Sequence, residues 1–150
     1  MTLLRLLKDE QVKPKYTTKM LISVYEEVGH GASYIPEDIT EMIAVDMGCI
    51  GEDLNCTELD VSICAKDSGG PYDYYMTTKL VQLAKANKIK HVVDIYPMYG
   101  SDVGAALRGG NNIRGALIGP GVHASHGMER THITALENTI QLLYAYLTIR

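Results

Sequence analysis

Five short runs of four to six mostly apolar residues limit what this 150-residue chain can fold into. They are Met20-Leu21-Ile22-Ser23-Val24-Tyr25, Met42-Ile43-Ala44-Val45, Leu59-Asp60-Val61-Ser62-Ile63-Cys64, His91-Val92-Val93-Asp94-Ile95-Tyr96 and Arg114-Gly115-Ala116-Leu117-Ile118. Runs of that length, rich in β-branched residues, read as strands. Between and around them, apolar residues fall at helical spacing. Leu3, Leu4, Leu6 and Leu7 share one face of a short helix, and Tyr75, Leu80, Leu83 and Ala84 share one within Tyr72 to Asn87. A short helix follows Gly100, and a longer one runs from Ile133 to about Leu147. Strands alternating with helices predict an α/β fold, a mostly parallel sheet flanked by helices. With no internal repeat, low-complexity stretch or interdomain linker, residues 1–150 read as a single domain.

Composition excludes several function classes. The chain is 46% hydrophobic and 21% charged, with a formal net charge of -4, which is ordinary for a soluble globular protein. No cluster of Lys and Arg builds a phosphate-binding face, so nucleic acid is not an expected partner. No apolar run approaches the roughly 20 residues of a membrane span. The apolar start, Met1 to Leu7, meets Lys8, Asp9 and Glu10 with no small-residue cleavage site, so it reads as a helix and not a signal peptide. Cys49, Cys56 and Cys64 are odd in number and lack C-x-x-C spacing, which predicts a reducing, cytoplasmic setting.

Chemistry concentrates where the predicted strands stop. The first run ends at two adjacent acids, Glu26 and Glu27, followed by Val28-Gly29-His30-Gly31. Neighbouring strand residues face opposite ways, so two acids serving one site must sit where the strand breaks into a loop. In α/β proteins, ligands bind beyond strand C-termini. One acid could hold a metal while its neighbour takes a proton from the attacking water. The second run ends at Asp46, the fourth leads to Gly100-Ser101-Asp102, and the last runs into a loop carrying His123 and His126. Each piece alone also has a bland reading: a solvated acidic turn, a turn-capping Asp, a helix N-cap, a loop histidine. Four such pieces at the ends of neighbouring strands favour a site. Carboxylates with imidazole and no thiolate suit zinc, cobalt or manganese.

In order and approximate spacing the chain resembles a known group. The matching pieces are Tyr25-Glu26-Glu27-Val28-Gly29, Ala44-Val45-Asp46-Met47, Gly100-Ser101-Asp102 with Ala105-Ala106-Leu107-Arg108, and Ile118-Gly119-Pro120-Gly121 leading into Ala124-Ser125-His126-Gly127-Met128-Glu129-Arg130-Thr131-His132. They resemble the co-catalytic metallo-aminopeptidases that form tetrahedral dodecamers, the glutamyl and deblocking aminopeptidases, some of them labelled endoglucanases. The resemblance covers the chain from about Leu3 onward. It implies a zinc-peptidase-like fold, a peptide substrate, and hydrolysis of the first peptide bond with two divalent ions, zinc or cobalt. By resemblance, Glu26 is the general base, while Glu27, Asp46 and His126 are metal ligands. Ser101 and Asp102 lie near the substrate amino terminus. His123 and His132 rival His126 as the ligand, because spacing does not separate them.

The chain also departs from that group. Full-length members are more than twice as long. Ahead of the acid pair they carry a first metal-binding histidine, an aspartate bridging the two metals, and an inserted β-rich domain. No histidine precedes His30 here, and the only acids before Glu26 are Asp9 and Glu10. The expectation is a sheet incomplete at its N-terminal side, with an exposed edge or apolar surface. Such a chain should bind at most one metal ion, weakly, and have little or no peptidase activity alone. A homo-oligomer or a complementing chain could restore the site. The competing expectation is a non-catalytic assembly or regulatory module that keeps the fold. A phosphate-cradling role for Gly100 to Gly104 is disfavoured, because the P-loop lysine is missing.

Overall fold

The computed structural model describes residues 2–9 and 13–148. Met1 and Glu10, which entered the reading of the N-terminal helix, lie outside them. Helix α1 (Thr2–Asp9) is followed, after a long connection, by a 3-10 turn at Glu26–Val28 and then β1 (Glu41–Val45), β2 (Gly48–Cys49), β3 (Val61–Asp67) and β4 (Gly70–Pro71). Helix α2 (Tyr74–Ala86), β5 (His91–Tyr96), α3 (Asp102–Arg108), β6 (Arg114–Val122) and α4 (Ile133–Thr148) complete the order.

Strand β6 organises the sheet. It pairs in parallel with β1 and β2 and antiparallel with β3. Strand β3 pairs in parallel with β5 and forms a tight hairpin with β4. Parallel pairing dominates, but β3 and β5 run opposite to β1 and β6. Successive residues of β3 and β6 face opposite layers. Val61, Ile63, Ala116 and Ile118 pack under α2 and α4 with Leu80, Leu83 and Leu142. Cys64 and Leu117 face the other layer, with Val103 of α3 and Tyr96. Such a strand is buried on both faces, which is why its sequence reads as a continuous apolar run.

The expected elements form, with one correction. Met20–Tyr25, read as a buried strand, is not one. Met20, Leu21, Ile22, Val24 and Tyr25 are all exposed, Ile22 to 79%. Among the described residues, the backbone of residues 17–24 makes no backbone–backbone hydrogen bond. A strand is stable only where a neighbour satisfies its N–H and C=O groups. The run has the composition of a strand and, among the described residues, no neighbour to pair with. Lys19 ties it to the body through Asp38 at 2.6 Å. The outer edge of β1 is likewise unpaired among the described residues, and Val45 on it is 55% exposed. Smaller shifts follow local chemistry. Asp60, expected in a strand, turns away as a buried carboxylate that accepts from Thr57 N at 3.0 Å, so β3 starts at Val61.

One glycine fixes how β1 delivers its last residue. A Cβ on Gly119 would sit 1.5 Å from the carbonyl oxygen of Asp46, too close for any side chain there. The Asp46 amide donates to Ile118 O at 3.0 Å, so the two chains touch along bare backbone. We expect Gly119→Ala to destabilise the fold by at least about 2 kcal/mol in urea unfolding, since neither backbone can retreat. A midpoint equal to wild type would mean that this close approach is not needed.

Candidate metal and substrate cleft

Three segments converge on the α3 side of the sheet around a cleft of about 750 Å³. The 3-10 turn supplies Glu26 and Glu27. The step out of β1 supplies Asp46, whose Oδ1 accepts from the Met47 amide at 2.7 Å. The loop after β6 supplies His126 and Glu129. A fourth segment, Met98 to Ser101 after β5, also lines the cleft, but β5 runs opposite to β1 and β6. This corrects the expectation of four strand ends on one rim. Only Asp46 and the histidine loop follow strands that run the same way, and the β5 segment enters from the opposite direction. The acid pair follows no strand at all.

His126 Nδ1 stands 3.6 Å from Glu27 Oε2. That is an ion-pair distance and too long for a hydrogen bond. The pair is open to solvent, the side chains being 63% and 75% exposed, so it contributes little to stability. The other two histidines are engaged elsewhere. His123 Nε2 lies 4.0 Å from Glu58 Oε2, and His132 Nδ1 accepts from the Thr134 amide at 3.2 Å at the start of α4. Only His126 of the three lines the cleft.

The histidine loop is held in an uncommon backbone form. His123 and Arg130 exchange backbone hydrogen bonds at its base, 2.9 and 3.2 Å. Within it Ala124 and His126 both take positive φ, 55° and 59°. Each left-handed non-glycine residue costs about 1–2 kcal/mol. The tilted ring of Tyr99 lies 6.2 Å, centroid to centroid, from His126.

Ser101 is largely committed already. Its Oγ caps α3 by accepting from Val103 N at 3.2 Å, and it meets the Tyr72 hydroxyl at 2.8 Å. That hydroxyl in turn donates to Asp67 Oδ2. Asp102 differs. Its Oδ1 is buried with no hydrogen-bond partner, and a Cβ on Gly31 would come within 2.3 Å of it. A buried acceptor left unpaired is costly, so such an oxygen marks a place where a donor belongs.

Electrostatics make the cleft hungry for positive charge. Burial, then the nearby Asp46, Asp102 and Glu27 carboxylates, push the Glu26 carboxyl up, while His126 opposes them. Asp46 is pushed up chiefly by burial, and further by Glu27, Asp102 and Glu129; the Met47 amide opposes this. In kind, these donors suit a hard or borderline cation. In number they fall short. No group of three or more His, Cys, Asp or Glu among the described residues is gathered closely enough to hold a metal ion. The residues therefore fit part of a site and not a complete one.

Sequence reasoning missed three cleft residues. Tyr99 packs beside His126, Glu129 holds its backbone, and Arg108 reaches along glycines at 29 and 104. The residues flanking the acids carried the only signal for them. Arg108 and Glu129 lay inside the matched motifs but had no role assigned.

Three comparisons place these features. The sequence profile of the M42 glutamyl aminopeptidase family matches residues 1–142. YhfE of Bacillus subtilis (strain 168), named as an inferred aminopeptidase, is 49% identical over 148 residues. That match covers 96% of this chain and 43% of YhfE, so the chain spans less than half the length of this relative. Among solved structures, a TET aminopeptidase from the marine sediment archaeon Thaumarchaeota archaeon SCGC AB-539-E09 superposes with a TM-score of 0.79 at 15% identity. It covers 99% of this chain and 45% of that one. The TET1 peptidase of Pyrococcus horikoshii, described as assembling into a tetrahedron or a large octahedral shell, gives 0.73 at 20% identity. It covers 86% of this chain and 40% of that one. At these identities the two structures speak for a shared fold.

Both raised carboxyls bind protons more readily in the folded chain than in the unfolded one. Stability in chelator therefore falls as pH rises from the ordinary carboxylate range through their folded values. Asp46→Asn, whose amide oxygen still accepts from Met47, should raise the melting temperature at pH 7 by about 2 °C or more. It should also flatten the gain seen on acidification. A lower midpoint in this variant would show that the charge is stabilised in place.

Proposed function

The chain belongs to the M42 glutamyl aminopeptidase family, and we propose that its cleft is one part of the site of a metal-dependent aminopeptidase. The observation that carries this reading is the meeting of Glu26, Glu27, Asp46 and His126 around one solvent-open cleft, from segments far apart in sequence. Glu27, Asp46 and His126 would contribute metal ligands. Bound divalent ions would polarise the scissile carbonyl and acidify the attacking water.

The chain's own residues have distinct tasks in this reading. Glu26, whose carboxyl is pushed up by burial and by its acidic neighbours, takes the proton of the attacking water at its carboxylate. Asp102 is not among the residues lining the cleft and its Oδ1 is buried against Gly31, so its part is to draw the substrate's terminal ammonium group by charge from behind the lining. Ser101, engaged by α3 and Tyr72, holds Asp102 at the first turn of that helix instead of binding substrate through its hydroxyl. The surrounding acids favour a cationic peptide terminus over any other part of the substrate.

Catalytic zinc normally uses three protein ligands. With no such group assembled among the described residues, the chain on its own has little or no turnover, and further ligands come from other atoms. The exposed apolar run Met20–Tyr25 supports a partner at this side, whether another copy or a complementing chain. The three cysteines, all free and buried, support a reducing compartment such as the cytoplasm. Burial pushes the thiols of Cys56 and Cys64 up to about 12, which keeps them out of the chemistry. The incomplete ligand set is also what favours the competing reading, a non-catalytic assembly module.

Calorimetric titration with zinc and with cobalt, beside hydrolysis of amino-acid p-nitroanilides, separates these readings. We expect weak binding to the wild type, at least about tenfold weaker binding in Glu27→Ala and in His126→Ala, and no turnover. Turnover by the purified chain would mean that the ligand set completes itself, for instance between copies. No binding of either ion would remove the metal reading and leave the assembly module.

A further inference from the structure

We infer that Glu129 is the positioning residue for His126. This rests on the proposal that His126 is a ligand, and it adds a residue to which no role has been given. Glu129 Oε1 accepts a hydrogen bond from the backbone amide of His126 itself, at 2.9 Å, and the same side chain lines the cleft. An anionic acceptor makes this bond stronger than a neutral one would.

The geometry explains why such a bond is needed. His126 adopts a φ of 59°, a conformation that a histidine leaves unless something holds it. Ala124 does the same two residues earlier, and Gly127 N donates back to Ala124 O at 2.9 Å, closing a tight turn. The imidazole itself is exposed and makes no hydrogen bond among the described residues. Its side-chain contacts are the exposed ion pair with Glu27 and the tilted Tyr99 ring, so much of its position is inherited from the backbone beneath. Among the described residues, Glu129 is the one side chain that grips that backbone. Removing the carboxylate leaves the amide unpaired and lets the turn relax toward negative φ, swinging the ring away from Glu27.

The test is nuclear magnetic resonance of the histidine-labelled 150-residue chain, beside zinc calorimetry, on wild type, Glu129→Ala and Glu129→Gln. In Glu129→Ala the His126 amide and ring signals should move and broaden while those of His91 stay in place. Zinc affinity should fall by about tenfold. Glu129→Gln keeps an oxygen that can accept the same N–H, and it should restore the signals and most of the affinity. Adding Glu129→Ala to His126→Ala should weaken zinc no further, because the two act through one ligand. Unmoved His126 signals in Glu129→Ala would overturn the assignment, as would a Glu129→Gln variant that behaves like Glu129→Ala. If the wild type binds no zinc, the metal reading fails, and the His126 signals still decide what Glu129 does.

Discussion

The placing of Asp46 against the histidine loop depends on the bare-backbone contact between the end of β1 and the middle of β6. Register along this pair is parallel and unbroken from Glu41 to Val45, and the Asp46 amide extends it by one more bond to Ile118. There the pairing is interrupted at Asp46 and Met47 before β2 takes it up again on β6, and Gly119 lets the Asp46 carbonyl pass where no side chain could stand. Three residues after Gly119, at Val122, β6 ends and the chain passes through His123 into the histidine loop. The aspartate and the histidine loop thus leave adjacent parallel strands at the same end. Their proximity is a consequence of sheet register, which the core under α2 and α4 holds in place.

On that frame the cleft collects charge that a stability-driven sequence would avoid. Asp46, Glu27 and Asp102 each oppose the ionisation of a neighbour, and His126 is the group that eases it for Glu26. Contrast the acids elsewhere. Asp94 accepts from the amides of Asn55 and Cys56, Asp60 from Thr57, and Asp67 from Gly69, each as a satisfied structural group. The same residue type is therefore used in two ways in one small chain. Where backbone donors converge on a carboxylate, it knits loops together. Where carboxylates face one another across solvent, each makes its neighbour harder to ionise.

How much of this was legible in the sequence follows from which forces are local. Helix α2 and strand β5 appear near their expected bounds because periodicity and caps are local, with Asp73 holding Met76 N at the first turn of α2. The Met20–Tyr25 run shows the limit. Its composition is that of a strand, but strandedness is a property of a pair, and no partner is supplied among the described residues. Direction was hidden for the same reason: nothing in His91–Tyr96 reveals that it runs against β6, so the meeting of its following loop with the acids could not be drawn correctly. Asp46 could be singled out because an acid ends an apolar run, whereas His126 was named only by resemblance, with His123 and His132 as rivals that spacing did not separate. Glu129 could not be singled out, because its importance lies in an amide hydrogen bond to a residue whose backbone is left-handed, and sequence carries no mark of either.

The exposed apolar run and the partial ligand set express one condition. The N–H and C=O groups of residues 17–24 and the carboxylate-imidazole pair of Glu27 and His126 each lack counterparts among the described residues, and they lie in sequence on either side of Glu26. A neighbouring strand that paired with the first would hold the acid pair from its N-terminal side, replacing an unpaired tether by a ladder of hydrogen bonds. It would also bring side chains to the rim where further ligands are needed. Pairing and ligand supply are then coupled: the entropy lost in ordering the run is offset by the same contact that completes the charge balance of the cleft. On the proposed reading, assembly and metal affinity should rise and fall together, because both draw on the order of one short segment ending at Glu26.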